Sequence, residues 1–229
     1  SDLNRVEKLF EKAKKTTKSG QKEGLPLIAL LEKILPTLEE GLSVRTLSLN
    51  EEEQKLLKGF QLLTIKPVLY VANVSEDGFE NNPHLNSIFE SAKKEQSQVV
   101  AISADIEADI SELDINEKKE FLSEIGQTES GLDRLVNAGY DLLGLQTFFT
   151  AGPQEVRAWT VNIGDSAPQA AGKIHGDFEK GFIRAETISF EDFILHSGEK
   201  GAKEAGKLRA EGKEYIVQDG DVFHFLFNV

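Results

Sequence analysis

Two short apolar runs set the strongest limit on what this chain can fold into. Lys66 is followed by PVLYVAN and Gln98 by VVAISA. Neither alternates apolar with polar, as a strand with one wet face would. Unbroken runs of this length read as strands covered on both faces, the pattern of a parallel sheet. Between them, residues 84–96 (HLNSIFESAKKEQ) suit a helical crossover, so the middle of the chain predicts one βαβ unit. Two parallel strands cannot cover both their faces alone. The unit is therefore expected to complete a larger sheet whose other strands lie outside this sequence. The chain begins at Ser1 in a helix-like pattern without a capping lead-in and contains no methionine, and we expect a fragment of a longer protein.

The flanks differ in period. Leu3, Val6, Phe10 and Ala13 recur at three and four residues with Lys and Glu between, which puts one narrow apolar face on a helix over residues 1–18. Ser19-Gly20 reads as its stop. Leu27, Leu31, Ile34, Leu35 and Leu38 repeat the pattern, with Pro26 suited to a first turn and Gly41 to an end. The pair predicts a helical hairpin, either a plain bundle arm or an arm that touches a large partner. Residues 105–124 are acidic and read as a solvated helix and linker, and GLDRLVNAGYDLLGL as a further helix. The last part turns β-rich. EVRAWTVNI, IRAETISF, EYIVQDG and DVFHFLF read as strands, with one helix starting at APQAAGKIHGDFEKGF, which suggests a compact β-grasp-like module.

Composition narrows the chemistry. There is no cysteine, and the four histidines form no HxxxH or HExxH pair, so thiol enzymes and metal hydrolases of that type are excluded. No apolar run approaches the about 20 residues needed to cross a bilayer, and the start lacks signal-peptide character; a cytoplasmic protein with no membrane partner is expected. Net charge is −13, and it is uneven: 11 Lys+Arg against 10 Asp+Glu in residues 1–65, 6 against 16 in 66–145, and 9 against 13 in 146–229. An acidic chain gains little from releasing phosphate counterions, so DNA is not an expected partner and any RNA contact must be local. Lys200, Lys203, Lys207, Arg209 and Lys213 form the best such patch, readable either as a solvated face or as a contact to rRNA phosphates. Trp159, Phe148 and Phe149 are expected to pack in a core, and His175 and Asp177, two apart on a helix, to point away from each other.

In an open α/β sheet, ligands sit beyond the carboxyl ends of the strands. Asn73-Val74-Ser75-Glu76 stands at that end of the first run, and Ser103-Ala104 at the same end of the second. P-loop GTPases carry Asn-Lys-x-Asp at the former place, where the carboxylate reads guanine, and a Ser-Ala pair one strand later. Here Val74 replaces the lysine and Glu76 a shorter carboxylate, so guanine's two donors should be poorly matched, a change that can alter discrimination by orders of magnitude.

With these loops stand ANVSEDGFENNPHL, FFTAGPQEVRAWTV, KIHGDFEKGFIRAETISFEDF and GKEYIVQDGDVFHFLFNV. These runs closely resemble the YchF family of Obg-like ATPases, and the likeness extends over essentially the whole chain. The resemblance implies an α/β and α+β multidomain protein: a helical coiled-coil insertion over residues 1–65, the C-terminal half of a P-loop nucleotide-binding domain over 66–145, and a ubiquitin-like β-grasp TGS domain over 146–229. It further implies preference for ATP over GTP, with Asn73 contacting the base, the backbone of Val74 meeting adenine, Glu76 in place of the guanine-reading Asp, and Ser103 and Ala104 in the second base-edge loop. ATP and Mg²⁺ are implied as cofactors of the complete protein. The ribosome, as large subunit or 70S particle, and RNA are implied as partners of a monomer. No GxxxxGK[ST] occurs in these residues, nor any candidate switch segment for Mg²⁺, so this chain alone is expected to be inert. The competing reading is a non-catalytic ribosome- or RNA-binding adaptor acting through the TGS domain. A small-molecule enzyme on the β-grasp part finds no clustered acid, base or nucleophile to support it.

Overall fold

The computed structural model describes residues 1–18, 24–153 and 155–228, which gather into two compact units, residues 1–138 and 139–229. The Ser19-Gly20 stop lies outside the described residues.

The first unit opens with helices α1 (Asp2–Lys18), α2 (Leu25–Glu39) and α3 (Glu51–Lys58). The apolar spacing decides their packing: Val6 and Ala13 of α1 and Leu30, Leu31, Ile34 and Leu38 of α2 are buried together with Val44, Leu57 and Leu62. Pro26 occupies the first turn of α2, and Gly41 follows its end at φ +76°, a conformation that favours glycine. Asn50 and Glu53 close a capping box on α3. The carboxylate of Asp2 accepts from both the amide and the hydroxyl of Thr64, each at 2.7 Å, which ties the start of α1 to the segment that leads into the sheet.

That sheet has two parallel strands, β1 (Leu69–Asn73) and β2 (Gln98–Ile102), in register from Leu69 opposite Gln98 to Asn73 opposite Ile102. The crossover helix α4 (Pro83–Lys94) is capped by Asn82, whose side chain accepts from the amides of His84 and Leu85. Ala72 of β1, Val100 of β2, and Leu85 and Ala92 of α4 are buried. Val71 of β1 is 46% exposed.

The acidic stretch is corrected. It forms two helices, α5 (Ala104–Ser111) and α6 (Ile115–Glu124), with a small core of Ile106, Ile110 and Leu122 against Phe79, Leu113 and Phe121. Acidic residues dominate the composition, but the few apolar ones share a face. Helix α7 (Gly131–Leu143) follows. The pattern ran it to Leu145; Gly144 at φ +62° ends it first, and a strand begins at the next residue.

The second unit contains β3 (Leu145–Ala151), β4 (Val156–Asn162), α8 (Ala167–Ile174), α9 (Gly176–Lys180), β5 (Phe182–Ser189), α10 (Phe190–Leu195), α11 (Glu199–Glu204), β6 (Arg209–Glu211) and β7 (Asp221–Phe227). The strands form one mixed sheet in the order β4-β3-β7-β5-β6, parallel only between β3 and β7. Helix α8 presents Ala167, Ala170 and Ala171, all fully buried, to Phe148, Val161, Phe182, Ala185, Val217 and Phe223. Three alanines on one face let the helix lie close to the sheet. Phe148 is fully buried and Trp159 stacks on it at 6.4 Å, so these two pack in the core; Phe149, the next residue on the strand, is half-buried and meets the exposed Phe190 at 5.6 Å, outside that core.

Three expectations in this unit are corrected. The helix from Ala167 is interrupted at His175, whose extended backbone begins a second helix. His175 and Asp177 therefore do not point apart: His175 Nδ1 accepts from the Asp177 amide at 3.2 Å as a cap. EYIVQDG is not a strand; only Ile216 makes a bridge, to Ser166, flanked by the Ala167 amide on the Tyr215 carbonyl and the Val217 amide on the Asp165 carbonyl, after which the Gly220 amide turns to Thr147 of β3.

Candidate functional site

Parallel strands end side by side, so the loop that leaves Asn73 and the loop that leaves Ile102 are neighbours. Two hydrogen bonds join them. Asn73 Oδ1 accepts from the Ala104 amide at 3.0 Å, and the Val74 amide donates to the Ile102 carbonyl at 2.8 Å. Ser103 is 1% exposed and caps α5, its hydroxyl accepting from the Ile106 amide at 3.5 Å. Ala104 and Glu76 are exposed and Val74 is half-buried. The sequence-predicted residues Asn73, Val74, Ser103 and Ala104 are thus brought together, and Glu76 follows in the turn. That turn closes through the Gly78 amide on the Ser75 carbonyl at 2.9 Å. A Cβ at Gly78 would meet Ser75 Oγ at 2.9 Å and its backbone at 3.1 Å, so a side chain there would need the Ser75 hydroxyl to move and the turn to give by a few tenths of an ångström.

The support beneath the loops was not read from the sequence. Arg134, on α7, donates from Nη2 to the Ala101 carbonyl at 3.2 Å and from Nη1 to Gln127 and the Glu129 carbonyl. Glu107, on α5, accepts from the Gly131 amide at 2.6 Å, and a Cβ at Gly131 would sit 3.0 Å from Ile102 Cγ2. A signal existed: Arg134 is the one basic residue between Glu120 and Leu145. With Oδ1 of Asn73 spent on Ala104, its Nδ2 donors face the remaining partner choice. Among the described residues, no group of three or more His, Asp or Glu stands together as a metal site.

The basic residues of the second unit divide. Lys200 and Lys203 lie on α11 and Lys213 after β6, all exposed. Lys207 pairs with Asp192 at 3.3 Å. Arg209 turns to the buried Asp221 at 3.3 Å and to the Tyr215 hydroxyl at 3.1 Å, so its guanidinium is paired while its side chain stays half-exposed. Asp221, 2% exposed, also accepts from the Tyr215 hydroxyl at 2.8 Å and the Gln218 amide at 2.9 Å. Burial, with the Asp221 carboxylate as acceptor, pushes the Tyr215 phenol up to about 12. Because the folded value is the higher one, this phenol contributes stability in full below its ordinary value of 10.0, and that contribution is lost as pH rises through about 12. The expected result in a phenolate absorbance titration is a last phase near 12 that Tyr215→Phe removes; removal of an earlier phase instead would show the hydroxyl free of Asp221.

Comparison with known proteins covers both units. A family described as "Protein of unknown function (DUF933)", YchF-GTPase_C, matches residues 145–228. Over all 229 residues the chain is 58% identical to the Ribosome-binding ATPase YchF of Escherichia coli O157:H7, and it is 50% identical to that of Bacillus subtilis (strain 168). This chain belongs to the YchF family. It spans 63% of the length of both of those relatives. The solved structure of the Schizosaccharomyces pombe YchF GTPase superposes with a TM-score of 0.84 at 31% identity, covering 98% of this chain and 62% of that one. A GTP binding protein from Pyrococcus horikoshii OT3, 17% identical with a TM-score of 0.51, shares the mixed α/β fold. The YchF match to residues 145–228 takes in every strand of the five-stranded sheet and the Arg209–Tyr215–Asp221 cluster. Among the described residues, no helix is long and apolar enough to cross a membrane.

Proposed function

We propose that this chain supplies the base-reading half of an ATP-preferring P-loop NTPase that acts with the ribosome in the cytoplasm. The observation that carries this reading is the Asn73–Ala104 hydrogen bond at 3.0 Å, which makes one rim of two strand-end loops. On this reading Asn73 uses Nδ2 on a purine ring nitrogen, the Val74 backbone and side chain meet adenine, and Glu76 accepts from its exocyclic amine, with Ser103 and Ala104 forming the opposite edge. Residues 1–65 act as a coiled-coil arm and 146–229 as a TGS domain of β-grasp type, each a partner-binding module, with 66–145 as part of the nucleotide domain. ATP brings Mg²⁺ and the reacting phosphates. No phosphate-binding loop motif occurs in these 229 residues, so what this chain contributes is recognition and placement of the base. Among the basic residues, Lys200, Lys203 and Lys213 are the better candidates for rRNA phosphates, since Lys207 and Arg209 are paired within the fold.

The test is calorimetric titration of ATP and GTP into the full-length protein that carries this sequence. Asn73→Ala is expected to weaken ATP binding about tenfold or more, both through the lost donor and through loosened loops. Val74→Lys with Glu76→Asp recreates Asn-Lys-x-Asp and is expected to move preference toward GTP by a similar factor. Unchanged ATP affinity in Asn73→Ala, with the preference unmoved in the double variant, would place the base elsewhere.

A further inference from the structure

We propose that Arg45 is a positioning residue for the base loops, holding the helical arm, the start of β1 and the start of β2 in one arrangement through Glu95 and Tyr70; the proposal rests on the reading of the strand-end loops given above.

Arg45 lies in the arm, in the turn after α2. Its Nη2 donates to Glu95 Oε2 at 2.7 Å, fifty residues along the chain. Its Nη1 donates to the carbonyls of Thr64 at 3.4 Å and Lys66 at 3.2 Å, the segment that runs into β1. The Tyr70 hydroxyl, on β1, donates to the same Glu95 oxygen at 3.2 Å. Glu95 caps the C-terminus of α4 just before β2. One guanidinium thus gathers every chain segment that enters the two-stranded sheet. The Arg45 hydrogen bond holds the Glu95 carboxyl below its ordinary value, so the pair is ionic.

The contact is poorly suited to a purely stabilising role. The two side chains are only 16% and 30% exposed, and Arg45 Nε is buried with no hydrogen-bond partner among the described residues. Such a pair pays desolvation without full compensation, and apolar replacements of similar volume are often neutral or stabilising. What it does provide is geometry. The clamp acts where both strands enter the sheet, and a one-residue slip there would reverse every side chain. Tyr70 is three residues from Asn73, about 10 Å along the strand. A slip or tilt at the clamped end is therefore carried directly to the Asn73–Ala104 pairing at the other. Displacement of the arm by a bound partner would reach the base loops by the same route.

Amide hydrogen exchange on the full-length protein that carries this sequence, followed residue by residue by NMR, tests the proposal without nucleotide. In Arg45→Met with Glu95→Leu, thermal stability should be retained while the Ala104 and Val74 amides exchange about tenfold faster or more. The amides of Leu30 and Ile34 in α2 serve as the reference and should keep their rates. Unchanged protection at Ala104 and Val74 would overturn the proposal, as would a loss shared equally by α2, which would mark a general stability effect. Failure here is separable from failure of the base assignment. If Asn73→Ala leaves ATP affinity intact, the assignment falls; if the exchange rates do not move, only the positioning role falls.

Discussion

Replacing Asp221 by alanine should cost the second unit roughly 3 kcal/mol, the range for removing the acceptor from a buried, charge-assisted cluster. Asp221 is 2% exposed and takes three donors: the Tyr215 hydroxyl, the Gln218 amide and Arg209 Nη2. Burial raises its carboxyl above the ordinary value, against the Gln218 amide, the Tyr215 hydroxyl and the Arg209 charge, which favour the ionised form. Alanine leaves the Gln218 amide with no acceptor and the Tyr215 hydroxyl to find another. Arg209 is half-exposed and can turn to water, which keeps the cost from reaching the upper end of the buried-pair range. Asp221→Asn separates shape from charge. Its oxygen can still take Gln218 and Tyr215, but its amide nitrogen then faces the Arg209 donor, so about half the loss should remain. Urea denaturation followed by circular dichroism gives both numbers; equal and negligible losses would show that the cluster is dispensable.

The legible part of this molecule is the part that follows from period and chain direction. Leu3, Val6, Phe10 and Ala13 announce a helix because only a helix brings them to one side, and all four pack in the arm. The adjacency of Asn73 and Ala104 was legible because two buried strands joined by a helix must run parallel and end together. Hydrogen-bond accounting was not legible. Asp219 and Asp221 are two residues apart in an acidic run, yet Asp219 reaches the Thr147 amide at 2.8 Å while Asp221 is the buried acceptor of a cluster that also engages Arg209. No pattern separates them before β7 is paired with its neighbours. Arg209 itself read as one cation among five, and only the fold pairs it with Asp221. Glu95 and Arg45 lie fifty residues apart in unrelated elements, and such a pair has no local signature. The acidic stretch failed for a different reason: Ile106, Ile110 and Leu122 are too sparse to show a period across the break between α5 and α6.

Phe148→Ala is expected to be the more damaging change, at about 3–5 kcal/mol. Phe148 sits on β3, the strand held between β4 and β7. It is fully buried, with ring contacts to Trp159 at 6.4 Å, Phe223 at 5.6 Å and Phe225 at 6.0 Å. Truncation removes the ring's transfer energy and also opens a cavity between three aromatics and the alanine face of α8. The surroundings cannot close it easily. The strands are fixed by their ladders, and Ala167, Ala170 and Ala171 have no side chain to extend into the space. Since small domains hold about 5–15 kcal/mol in total, a loss of this size leaves the unit near its threshold. Trp159 is the single tryptophan of the chain and stacks on Phe148, so its fluorescence reports on this core directly. Phe148→Leu refills most of the volume and should recover more than half of the loss. A cavity explanation requires that recovery; if Phe148→Leu were as unstable as Phe148→Ala, the aromatic contacts themselves would be the dominant contribution.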